Sequence, residues 1–140
     1  MAEAFPILLV TPTGIAYEGD VEEIIAWNSM GQFGVLAKHI DFVTSLVPEV
    51  VEITLAGGET RYYVVSGGLA EVKNGKMTIL ADSAEKPDSI ALPEVEELLR
   101  DLEARVAALS MYAPEFETAH YELMLARARH RAAAELRPAR

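Results

Sequence analysis

Near residue 85 the hydrophobic period of this chain changes from two residues to about 3.6, and no single regular element accommodates both. Upstream, the segments FPILLV, VEEIIAW, VVEITL, RYYVV and MTIL are short, rich in β-branched or aromatic residues and separated by turn residues. In VVEITL and RYYVV alternate side chains face a core, which leaves Glu52, Thr54 and Arg61 facing water. Asn74-Gly75, set between Val72 and Met77, predicts a tight hairpin because both residues tolerate positive φ. Gly57 and Gly58 in LAGGET supply a second reversal. Many short strands with no helix-length pattern predict a β-sandwich, or flattened barrel, over residues 1–86.

Residues 87–140 read as a linker and a helical hairpin. EKPDSIALP carries two prolines, of which Pro93 suits the first turn of a helix. Val95, Leu98, Leu99, Leu102, Val106 and Leu109 then form one apolar stripe at helical period. Glu94, Glu96 and Glu97 fall in the first turn, where the helix dipole favours acids. SMYAP interrupts the pattern. Pro114 then starts a second helix containing Phe116, Ala119, Leu123 and Ala126, with Arg127, Arg129 and Arg131 in its later turns. So short a link implies an antiparallel pair. The fold class is therefore mainly β plus α, an N-terminal β-sandwich followed by a C-terminal antiparallel two-helix hairpin. Burial yields about 25 cal/mol per Å² against about 1.5 kcal/mol of ordering entropy per residue. Two helices alone are thus marginal, so the pair is expected to lean on the sandwich or on another protein, and to be a moving part.

Half the residues are hydrophobic (51%), enough for a real core, which excludes disorder along the whole chain. The lack of cysteine removes disulfides and thiolate metal sites and suits a reducing compartment. MAEAFPILLVTPTG has no basic region before its short apolar run, so it reads as neither signal peptide nor membrane span. Membrane association is expected only through partners. A net charge of −10 argues against nucleic acid as a partner. The charge is uneven: residues 1–90 hold thirteen acids and five bases, residues 91–121 seven and two, residues 122–140 two and five. The basic end is either a handle for an acidic partner or a solvated helix face, and the helix dipole accounts for part of it.

The sequence carries no recognisable chemistry. No GxxxxGK[ST] loop exists, since Gly67-Gly68 is followed by LAEVK. Ser66 has no sequence-local base to activate it. His39 and Asp41 could orient one another, but no third group completes a site, and a turn or interface histidine is the simpler reading. His120 and His130 lack the i, i+3 or i, i+4 spacing of helical metal ligands. Glu22 and Glu23 point to opposite faces of a strand. No catalytic residue, cofactor or metal site is expected.

Three motifs in order carry a resemblance instead. GQFGVLAKHID (Gly31 to Asp41) is similar to the pattern GEFGVLPGHAP, with Gly31, Phe33, Gly34, Val35, Leu36 and His39 matching. VSGGLAEV (Val65 to Val72) is similar to VSGGFLEV, and LADSAE (Leu80 to Glu85) follows at the sandwich-to-helix boundary. With TPTG and YEGDVEEI near the start, the order of segments resembles the epsilon subunit of F-type ATP synthases, equivalent to the delta subunit in mitochondria. The likeness covers residues about 5 to 85 well and the helices mainly in layout.

That resemblance implies a non-catalytic rotor subunit whose sandwich binds the gamma subunit and rests on the c-ring. Gly31 and Gln32 would face the c-ring, and His39, Ile40, Asp41 and Phe42 would lie near gamma. Gly31 and Gly34 would let the loop turn closely while Phe33, Val35 and Leu36 anchor it. In the family, helices folded on the sandwich permit turnover, and helices extended along gamma oppose ATP hydrolysis. Arg127, Arg129 and Arg131 match the basic stretch that meets an acidic segment of the alpha/beta catalytic head. The chain departs from the pattern at Ala37, Lys38 and Asp41, where the family has proline, glycine and proline. An ATP-binding I/L-D-x-x-R-A motif is degraded at Ile90–Val95, with Ala91 for aspartate and Glu94 for arginine, so no bound ATP is expected. The expected location is peripheral, on the cytoplasmic face of a bacterial inner membrane. A free-standing sandwich and hairpin adaptor would share the composition but not three ordered motifs.

Overall fold

The computed structural model describes residues 3–137. Nine strands precede two helices: β1 Phe5–Thr11, β2 Gly14–Asn28, β3 Gly31–Val35, β4 Phe42–Leu46, β5 Glu49–Leu55, β6 Thr60–Val65, β7 Gly68–Lys73, β8 Lys76–Ala81 and β9 Ala84–Glu85. The 15-residue β2 organises them. Its first half pairs antiparallel with β1, from Thr11↔Gly14 to Phe5↔Val21. Its second half pairs with β5 along one edge and with β3 along the other. The register slips between Val21 and Glu23, where the strand passes from one set of partners to the other, as expected of a bulge that bends a strand.

Hydrogen bonding therefore runs β4-β7-β8-β1-β2-β5-β6-β9, with β3 on the far half of β2. The two halves fold over one another as a sandwich. Ile7, Leu9, Met77 and Ile79 from one layer meet Ile24, Ala26, Val51 and Ile53 from the other in a single buried core. Each of these is an alternate residue of its strand, so the period-two pattern is what fills the interior. The expected hairpin turn is present: Asn74 and Gly75 have φ of 51° and 77°, and Lys73 pairs with Lys76. Gly57 and Gly58 also sit at positive φ, in the β5–β6 turn.

One expectation needs correction. Gly31–Val35 is a strand, so Gly34 is not a turn residue; it lies inside β3 opposite Ile25. The reversals fall on either side of it, before Gly31 and after Val35. Val35 is buried and Phe33 packs on the core, whereas Leu36 is half exposed and anchors nothing.

A single 3-10 turn, Pro87–Ser89, leads to α1 (Leu92–Ala108) and α2 (Phe116–Glu135). Pro93 occupies the first turn of α1, where its missing N–H costs no helical hydrogen bond. The helices run antiparallel, with Glu96 facing His130 and Arg105 facing Glu122. Leu102, Leu123 and Ala126 are buried between them, while Leu98, expected on the same stripe, is 41% exposed. The pair leans on the sandwich. Ala128, Ala132 and Ala133 of α2 pack with Val50, Val64 and Ile90 in a second buried cluster. Val50 and Val64 are cross-strand partners on the outer face of β5 and β6. Alanines on the facing helix let the helix axis come close to the sheet.

Candidate functional site

Three surfaces carry the residues singled out by sequence. At the first, β2 and β3 join through Ser29 and Met30, with Asn28 and Gly31 as the closing pair. Gly31 has φ of 125°, and the Met30 N–H donates to Asn28 Oδ1 at 2.9 Å. The tip is held from below: Asn28 Nδ2 donates to Thr44 Oγ1 at 3.3 Å, and the Val47 N–H to the Trp27 carbonyl at 3.2 Å. This fixed tip presents Met30, 93% exposed, beside the exposed Gln32. Met30 was not singled out by sequence. Its signal was an apolar residue in a two-residue turn between Asn-Ser and Gly, where a polar residue is the norm.

The second surface is the loop after β3. His39 Nδ1 lies 2.8 Å from the Ile40 carbonyl, an acceptor, which assigns the ring proton to Nδ1. Its ring tilts against Phe42 at 5.0 Å, and Phe42 meets Phe33 edge-on at 5.6 Å. Asp41 does not orient this histidine: its Oδ1 accepts from the Asn74 N–H at 3.0 Å and so ties the loop to the β7–β8 turn. Of the four residues His39 to Phe42, Ile40 and Asp41 are exposed, and Ile40 turns an apolar side chain to solvent at 77% exposure. Lys38 has φ of 63° at the position where the family pattern has glycine.

Beside this loop, no described residue covers the outer face of β4, β7, β8 and β1. Leu69, Leu80, Val10 and Ile15 follow one another in a cross-strand row, and Val43 sits one row away. Ile15, Val43, Leu69 and Leu80 are all exposed. Four exposed large apolar side chains on one sheet face are of the sort that marks a contact surface.

The third surface is α2. Arg129 meets Glu85 with two bonds, Nε to Oε1 at 2.8 Å and Nη2 to Oε2 at 3.3 Å. Arg131 lies 3.7 Å from Glu49 Oε1. Arg127 is exposed and makes no ion pair among the described residues. Nearby, Ile90 is buried while Ala91 and Glu94 are exposed at the start of α1.

An open cavity of about 570 Å³ lies between β6, the 3-10 turn and the end of α2. Its three bases, Arg61, Lys86 and Arg137, are matched by Glu59, Asp88 and Glu135, so no net charge selects an ion there. Among the described residues, no group of three or more His, Cys, Asp or Glu is placed to hold a metal ion, and no described helix is long and apolar enough to cross a membrane.

The ATP synthase, Delta/Epsilon chain, beta-sandwich domain family model matches residues 4–87. The chain belongs to that family. A Clostridium botulinum (strain Alaska E43 / Type E3) ATP synthase epsilon chain is 37% identical over 115 residues, 82% of this chain and 86% of that protein. The ATP synthase epsilon chain of Bacillus thuringiensis (strain Al Hakam) is 38% identical over 104 residues, 74% of this chain and 77% of the other. Among solved structures, a chain of the Euglena gracilis mitochondrial ATP synthase OSCP/F1/c-ring assembly superposes with a TM-score of 0.79 at 23% identity, covering 91% of this chain and 81% of its own. A chain of the Tetrahymena thermophila mitochondrial ATP synthase central stalk/c-ring gives 0.69 at 13% identity, covering 95% and 98%. At those identities the two structures bear on the fold, while the relatives carry the family. The delta/epsilon fold here thus places its helices on one face of the sandwich and leaves the apolar row on the other.

Proposed function

We propose that the chain is a non-catalytic rotor subunit of an F-type ATP synthase, joining the gamma subunit to the c-ring and restraining ATP hydrolysis through its helices. One observation supports it above the rest. A delta/epsilon-family sandwich carries an exposed apolar row on one outer face while α2 covers the other. The row through Leu69, Leu80 and Ile15, and the exposed Ile40 of the loop before β4, suit a close apolar contact with gamma. His39, Asp41 and Phe42, expected near gamma together with Ile40, also hold that loop in shape. Gly31 and Gln32 lie at a stiff hairpin tip suited to a c-ring contact, and Met30 at that tip is 93% exposed.

In this reading the protein works by contact. It reaches the cytoplasmic face of the bacterial membrane only through its partners, and the helical hairpin, residues 87–140, forms the regulatory part beside the sandwich of residues 1–86. Co-purification with gamma and with the c-ring is expected for the full chain. Substituting Leu80→Asp should abolish gamma capture and leave the fold intact, since Leu80 is half exposed. Wild-type chain that fails to hold gamma under conditions where the sandwich is folded would overturn the proposal and favour a free-standing adaptor.

A further inference from the structure

The three arginines of α2 do not form one surface. At about 100° per residue, Arg127 and Arg131 lie within about 40° of each other around the helix, whereas Arg129 lies about 160° from both. Arg129 belongs to the face that carries Ala128, Ala132 and Ala133 onto the sandwich. Its guanidinium makes a two-point bond with Glu85, at the end of β9, and both side chains are about two-thirds covered, at 28% and 34% exposure. Arg131, on the flank of that face, reaches Glu49 at the start of β5. Glu49 also accepts from its neighbour's N–H, which holds the carboxylate in place. Arg127 faces away.

We propose that Glu85 is an internal stand-in for an acidic protein surface, so that a docked α2 withholds Arg129 from any partner, while the more open Arg131 stays within reach. That two-point bond occupies the Nε and Nη2 edge of the Arg129 guanidinium, and docking leaves the side chain only 28% exposed, so the edge that grips a carboxylate is taken and the rest is largely covered. An acidic partner can therefore meet Arg127 while the helix is docked, but it meets Arg129 only after the Glu85 bond is broken and the alanine face has left Val50 and Val64. Release of the helix and presentation of its charge become one event. Arg127 and Arg129 therefore act with opposite signs. Neutralising Arg127 weakens a partner contact and leaves docking alone. Neutralising Arg129 favours release, because it removes a bond made only when docked. Neutralising Glu85 also favours release while leaving every arginine intact for the partner. The consequence for hydrolysis rests on the rotor reading above; the clamp itself does not.

Two measurements separate these claims. The chain has no cysteine, so a nitroxide pair attached at Glu71→Cys and Ser110→Cys reports only the distance between sandwich and hairpin tip. In the isolated full chain, Arg129→Glu, Glu85→Arg and the milder Glu85→Gln should each raise the ratio of released to docked molecules roughly fivefold or more. The exchanged pair Glu85→Arg with Arg129→Glu should return it towards the wild-type value, and Arg127→Ala should not move it. Single variants indistinguishable from wild type, or an exchanged pair no closer to wild type than its parents, would overturn the clamp. In the reassembled complex, Glu85→Gln should lower ATP hydrolysis and Arg127→Ala should raise it. Release by spin-label distance without any change in hydrolysis would uphold the clamp and reject the regulatory reading.

Discussion

Gly68 packs against Leu80 so closely that a Cβ on the glycine would collide with the Leu80 carbonyl oxygen and stand 2.9 Å from the Ala81 Cα. Gly68 also has φ of 143°, a conformation that residues with a side chain rarely adopt. It opens β7, where the chain leaves β6 in one layer and enters the other beside β8. Both obstacles are backbone, so neither can swing aside. Gly68→Ala is expected to cost more than about 3 kcal/mol by urea denaturation, near the upper end for a single substitution. Gly57 is the control. It has φ of 110° but nothing within 4 Å of a built Cβ, so Gly57→Ala should cost only the conformational strain, about 1–3 kcal/mol. Equal losses at the two positions would show that the close approach to Leu80 is not the cause.

Lys38 is strained for a different reason. Its φ of 63° costs a side-chain-bearing residue about 1–2 kcal/mol, which glycine escapes. Against this, glycine loosens the unfolded chain by about 0.4–1 kcal/mol. The ion pair with Glu3, at 3.5 Å with side chains 82% and 61% exposed, is worth little. Relief of strain outweighs both losses, so Lys38→Gly should raise stability by about 0.5–1 kcal/mol. Urea midpoints decide it, and a fall in stability would mean that the exposed lysine makes contacts worth more than its strain.

These two positions also mark how far the sequence could be read. Asn74-Gly75 and Gly57-Gly58 announce turns because asparagine and glycine tolerate positive φ, and a local steric problem is visible in local sequence. The helices were legible for the same reason, with Pro93 and the stripe through Val95 and Leu102 placing α1 closely. Gly34 and Gly68 are glycines for non-local reasons, or for reasons a single chain does not display. The sequence window around Gly68 contains no hint of Leu80. The 15-residue β2 was hidden because its two halves answer to different neighbours, so its alternation breaks at Gly19-Asp20 without the strand ending. The docking face was within reach. Val50-Val51 and Val64-Val65 are apolar doublets in strands that otherwise alternate, and a doublet means that both faces are covered. Arg129 groups with Arg127 and Arg131 in the sequence because close spacing along the chain conceals opposite faces of a helix.

Ala132 is fully buried where α2 meets the outer face of β5 and β6. A larger side chain there has no space unless the helix moves away, and overpacking of this kind costs about 1–3 kcal/mol. Because the sandwich core lies on the other face of those strands, the cost should fall on docking alone. Ala132→Leu is therefore expected to release the helices while the sandwich stays folded. Limited proteolysis should cut between residues 86 and 92 faster than in wild type, and strand amides should keep their hydrogen-exchange protection. Loss of protection in both regions together would show that sandwich and hairpin unfold as one unit.

Tyr63 gives the chain a pH dependence at the alkaline end. Burial raises its phenol pKa above the ordinary 10.0, and the nearby Arg61 offsets only part of that rise. The phenol is charged when deprotonated, so an upward shift means that the folded protein keeps a proton the unfolded chain gives up first. The associated stability is fully present below about pH 10 and is lost as pH climbs from there through the folded pKa. Tyr63→Phe removes the ionising group and keeps the ring in the core. Its hydroxyl makes a long bond to the Ala16 carbonyl, 3.4 Å, so near neutrality the variant should differ from wild type by less than about 1 kcal/mol. Urea midpoints followed from about pH 8 to about pH 11 should fall less steeply for Tyr63→Phe than for wild type across the phenol range. Parallel curves would place the alkaline loss elsewhere and remove Tyr63 from the account.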